Sequence, residues 1–182
     1  MAKSEVNSII DTAGLFNGIL HKLLATGQGL HVETLITSAA RMSGTMLVRN
    51  WHADSGLQPG TVLLSDEADR QGPGLVDALL QTLHRLGHPR DRDRGFGVTS
   101  LSTDLSQLTL AQTLLEPWYR KAQQVSGLSD QAAATAAAVS TAMQIHQCRD
   151  IIEVEPACGL AVNALVESMK TVPVSLVQAA SE

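Results

Sequence analysis

The chain has 182 residues, of which 44% are hydrophobic and 3% aromatic, and its 13 Lys and Arg against 18 Asp and Glu give a formal net charge of −5. A chain of this length fills one hydrophobic core and is cramped as two, and so apolar a composition excludes intrinsic disorder. A weakly anionic surface with scattered basic residues speaks against nucleic acid as a partner, and Asp11, His21, Lys22 and Arg41 interrupt the apolar segments before any reaches the roughly 20 residues that span a bilayer.

Taken in chain order, apolar residues recur every three or four positions, the period of amphipathic helices. The first helix is expected to begin after Ser4 and to carry Val6, Ile9, Ile10, Ala13, Phe16, Leu20 and Leu24, with Gly27 and Gly29 ending it. A second, from Val32 to about Asn50 or Trp51, repeats the stripe with Leu35, Ile36, Ala39, Met42, Met46 and Leu47, and so short a joint implies a helical hairpin. Residues 52–73 break the period with Gly56, Pro59-Gly60 and Gly72-Pro73. They read as an irregular insert holding one extended piece, Thr61-Val62-Leu63-Leu64, and a short helix capped by Ser65. The third long helix carries Leu75, Leu79, Leu83 and Leu86 and stops at Gly87 and Pro89, before a polar connection over residues 88–103.

Asp104 and Gln107 read as the capping box of a fourth helix, in which Pro117 is expected to force a kink or a restart at Glu116. Ser129 and Asp130 cap a fifth, alanine-rich helix from Ala132 to Ala142 and beyond, whose small side chains admit a close neighbour. Pro156 separates it from a last helix through Ala157, Leu160, Ala164, Leu165 and Met169, and residues 174–182 form a tail. The expected fold is all-α: a single-domain multi-helix bundle of five or six main helices with a short irregular insert, residues 1–182 forming one domain. The pairs Gly14 and Gly18, and Ala40 and Gly44, add small residues at spacing four, the pattern of closely packed helices.

Motifs that carry chemistry are weak. His84 and His88 stand four apart, a spacing that on one helix turns both imidazoles toward a single metal ion, although Gly87 and Pro89 suggest that the helix ends between them. His146, Cys148 and Cys158 match no zinc-finger spacing; two cysteines are too few for a disulfide framework and read as buried small hydrophobes. Asp66, Glu67 and Asp69 favour the positive end of a helix dipole more than a magnesium site, and Arg90, Arg92 and Arg94 alternate with aspartates that neutralise them. Trp51, His52 and Asp54, with Trp118 and Tyr119, would line a ligand pocket if their surfaces meet.

Catalysis is left open, and no cofactor is specified. The expectation is a cytoplasmic, non-enzymatic interaction or regulatory protein acting as a homodimer through an apolar helix face, with a possible further protein partner. The alternative is a helical protein that binds a small molecule or metal, and perhaps acts as an enzyme, through residues distant in sequence.

Overall fold

A computed structural model describes residues 3–25, 31–51, 57–89 and 105–173, and places six helices in one all-α domain: α1 (Lys3–Leu24), α2 (Val32–Trp51), α3 (Asp66–Arg85), α4 (Leu105–Ser126), α5 (Asp130–Gln147) and α6 (Val154–Met169). The hub is α2. Every residue from Leu35 to Val48 is buried, and α2 packs against all five other helices, most extensively α5 and α6. A helix covered on all sides needs small or internally satisfied polar residues, and α2 supplies them: the hydroxyl of Thr37 donates to its own helix at Glu33 O (2.7 Å), and Thr45 accepts from Gln112 of α4 (2.7 Å).

Alanine makes α5 the second hub. Ala132, Ala133, Ala134, Ala136, Ala137, Ala138 and Ala142 are all buried, which lets α1, α2 and α3 share one narrow helix. Between α1 and α5 lies a polar contact, where Asn17 Oδ1 accepts from Ser140 (2.6 Å) and from Gln144 (2.8 Å). Between α2 and α4, Arg49 grips Glu116 with two bonds of 2.7 and 3.1 Å.

The irregular insert is shorter than expected. The third helix begins at Asp66, capped by Ser65 as expected, and runs without interruption through Pro73 to Arg85. Its buried residues, Ala68, Gly72, Leu75, Leu79 and Leu83, form one stripe against the bundle, so packing outweighs the lost hydrogen bond and ring clash that proline introduces. Likewise α4 is continuous through Pro117. Pro156 does not separate two helices; it lies in the first turn of α6, where no intrahelical N–H bond is lost. The extended piece is an antiparallel contact rather than a sheet: Val62 bridges Thr171, flanked by bonds from Gly60 N to Val172 O, Val172 N to Thr61 O and Leu63 N to Lys170 O. It ties the segment before α3 to the end of α6.

Candidate functional site

Among the described residues, the sequence candidates do not gather into one place. Trp51, at the end of α2, is half-buried and packs beside Val48, Leu63 and Val172. His52 and Asp54 lie outside the described residues, as do Arg90, Arg92, Arg94 and Asp104. Trp118 and Tyr119 are neighbours in α4 with opposite fates. Trp118 is 47% exposed with the Lys121 ammonium 5.7 Å from its ring centre, whereas Tyr119 is fully buried and stacks on Phe16 at 3.9 Å. The Tyr119 hydroxyl completes no well-aligned hydrogen bond; burial pushes its pKa far above the usual phenol value, with Ser140 nearby a smaller opposing influence. It is a core residue.

His84 is exposed on α3, and His88 turns away to another helix. Leu86 closes α3, Gly87 adopts φ +91°, and His88 N donates to Leu83 O (2.9 Å) while Gly87 N donates to His84 O (3.1 Å). This paired bond pattern is the helix stop that only a left-handed residue permits, so Gly87 fixes where His88 goes. The result is a contact of 2.8 Å between His88 Nε2 and His146 Nδ1, at the C-terminal ends of α3 and α5. One ring must donate and the other accept, so the contact requires at least one neutral ring. Desolvation holds the His146 pKa below its ordinary value, helped by Arg149 and His88 and opposed by Asp150. Among the described residues, no group of three or more His, Cys, Asp or Glu is placed to hold a metal ion.

A concavity with a consistent chemical character lies elsewhere. Both α1 and α3 pack on α5 and leave between them a groove of about 540 Å³. Its floor is the stripe of α5 that the bundle leaves uncovered: Thr135, Val139 and Met143, spaced four apart and partly exposed. Val6, Ile9 and Ile10 of α1 form one wall; α3 forms the other from Gly74 to Leu86, twelve positions or roughly 18 Å along the helix axis. The two threonine hydroxyls that reach the groove are committed to their own helices, Thr82 to Ala78 O (2.7 Å) and Thr135 to Gln131 O (2.9 Å). Charged and amide groups, Asp77, Gln81 and Arg85, stand on the α3 side alone.

Sequence reasoning missed this groove, because Val139 and Met143 continue the apolar pattern of a core helix. Nothing in periodicity reveals that two neighbours stop short of each other. His146, considered as a ligand with the cysteines, in fact pairs with His88 from a helix 58 residues away.

No protein-family model, curated protein or solved structure matches the chain.

Proposed function

We propose that this is a non-enzymatic helical interaction protein that receives the apolar face of a partner helix in the groove between α1 and α3. The observation that carries this reading is the groove itself: two helical walls and a helical floor, lined mainly by apolar side chains, with charged and amide groups confined to one rim. An amphipathic helix laid along it buries its own stripe against Ile9, Ile10, Val139 and Met143 and leaves its polar face toward Asp77, Gln81 and Arg85 or solvent. Self-association belongs to a different surface, the outward stripe of α4, and a cytoplasmic setting agrees with two cysteines that form no disulfide.

The test uses an uncharged apolar fluorophore, N-phenylnaphthylamine, and an amphipathic leucine–lysine peptide. Saturable binding of the dye by the wild-type protein, displaced by the peptide, is the expected result. Val139→Glu at the floor and Ile10→Glu at the exposed wall are each expected to weaken both ligands at least tenfold with an unchanged helical circular dichroism spectrum. Dye and peptide binding that is absent, or indifferent to both substitutions, defeats the proposal. A second reading, an apolar small-molecule carrier, is favoured by the groove's volume, which falls within the usual range for small-ligand sites. It takes over if the dye binds and the peptide fails to displace it.

A further inference from the structure

Arg41 stands in the middle of the buried stretch of α2, with 5% of its surface exposed. A guanidinium offers five N–H donors and keeps its charge at any ordinary pH, so burying one demands a full set of acceptors. Arg41 has no such set among the described residues. Its Nη1 donates to Glu167 Oε2 at 3.0 Å, a single end-on contact with a carboxylate that is itself 39% exposed, and its Nε has no hydrogen-bond partner. Two turns along the same helix, Arg49 shows how this fold closes a buried arginine: Glu116, 2% exposed, takes it with two parallel bonds. Arg41 lacks that second bond, and it faces a pocket instead.

The pocket has a volume of about 200 Å³ and is formed where α2, α4 and α6 meet the antiparallel contact after α6. Its position follows from the backbone. Gly44 lets α2 and α6 approach closely at Ser168, and Arg41, about one turn earlier on α2, lines the pocket together with Ser168. Pro59 and Gly60, joined to Val172 by the Gly60 N to Val172 O bond of 2.9 Å, close the other side. Of the polar groups lining it, the Ser168 hydroxyl donates to Leu165 O (2.8 Å), the Thr171 hydroxyl to Glu167 O (2.8 Å), and the Gln112 amide to Thr45 (2.7 Å). Their hydrogens are spent inside the protein, except for the second amide hydrogen of Gln112. Donors for a ligand therefore come from the Arg41 fork and Gln112.

We infer that this pocket is a binding site for a small aliphatic monocarboxylate, held by the Arg41 guanidinium with its hydrocarbon end against Val172, Pro59 and Pro173. A planar carboxylate matches the fork in a way that a spherical halide does not. Glu167 already offsets part of the Arg41 charge, and its carboxylate repels an entering anion in proportion to that anion's charge, which selects against a phosphate dianion. The volume restricts the ligand to a few heavy atoms. This site is separate from the groove between α1 and α3, and stands or falls independently of it.

The probes are acetate, propionate, phosphate and chloride at matched ionic strength, read by isothermal titration and thermal shift on the intact chain. Acetate and propionate are expected to bind saturably at one site and to raise the melting temperature above the chloride control, with phosphate giving no such rise. Arg41→Lys keeps the charge and loses the fork, and is expected to weaken propionate at least tenfold. Glu167→Gln removes the competing carboxylate from a partly exposed position and is expected to tighten propionate at least threefold. Should Arg41→Lys fail to fold by circular dichroism, Glu167→Gln decides. The inference is overturned if the carboxylates behave as chloride does, if phosphate binds as tightly as propionate, if folded Arg41→Lys retains wild-type affinity, or if Glu167→Gln leaves that affinity unchanged.

Discussion

Gly44 and Gly18 both sit inside helices, each four residues from another small residue, yet they answer to different forces. A Cβ built on Gly44 overlaps the Ser168 hydroxyl and lies 2.8 Å from both Leu165 O and Met169 N, backbone atoms of α6 that cannot step aside. A Cβ on Gly18 meets nothing within 4 Å. Overpacking of a tight helix crossing costs about 1–3 kcal/mol, against which the better helix propensity of alanine returns about 1 kcal/mol. Gly44→Ala is therefore expected to be less stable by about 1 kcal/mol, and Gly18→Ala more stable by up to about 1 kcal/mol, as measured by urea unfolding with unchanged slope. Equal stability of the two variants would show that α2 and α6 do not cross as described. Small-residue spacing alone proposes close packing at both places; only the neighbour decides. Arg41 is a sharper signal, since a lone charge between Glu33 and Arg49 of α2 implies a partner, but that partner, Glu167, is 126 residues away, beyond what any local pattern can indicate.

At the scale of the element, the helices themselves were legible because burial follows the helical period: the stripes of α1 and α3 fall where the apolar residues recur, and Ser65 and Ser129 cap α3 and α5 through bonds to Glu67 N and Ala132 N. What local chemistry misjudged were prolines, whose local cost at Pro73 is offset by a stripe of buried contacts running past it on both sides. The stop of α3 was read correctly from Gly87, but its consequence, the delivery of His88 to His146, depends on where α5 ends in space. That contact gives the helix ends a pH dependence. An unfolded histidine protonates near pH 6.5, while His146 in the fold, desolvated and facing Arg149 and His88 with Asp150 in partial opposition, does so at lower pH. Above that range neither state holds the proton and the histidine contributes no slope; as pH falls through 6.5 the unfolded chain takes it up first, and stability drops until the folded ring also titrates. Unfolding free energy measured at pH 7.5 and pH 5.5 should accordingly fall less in His146→Gln than in the wild type. An identical fall in both proteins would remove His146 as a cause.

For the whole molecule, placing α2 at the hub explains why surface and core were hard to separate in advance. Thr37, Ser38, Arg41, Ser43 and Thr45 give α2 a polar face in sequence, yet every one is buried, because α4, α5 and α6 enclose the sides that α1 and α3 leave. With the centre so filled, apolar residues placed on outer helices are surplus to the core, and those of α4 fall into register: Leu114, Trp118 and Val125 are 43%, 47% and 80% exposed and share one face at spacings of four and seven. Their neighbour Lys121 lays its charge over the Trp118 ring instead of breaking the stripe. A two-fold axis through this ridge would pair α4 with α4 of a second copy and close the assembly at two chains, the arrangement proposed for self-association. A ridge inserted into the α1–α3 groove of the next copy would instead propagate without closing. Sedimentation velocity across a concentration series distinguishes these: a monomer–dimer equilibrium abolished by Trp118→Glu and insensitive to Val139→Glu supports the α4 pair, whereas open-ended growth suppressed by Val139→Glu supports the ridge in the groove. A single monomeric species at all concentrations up to about 100 μM, where dimers held by about 5.5 kcal/mol already populate, rules out both.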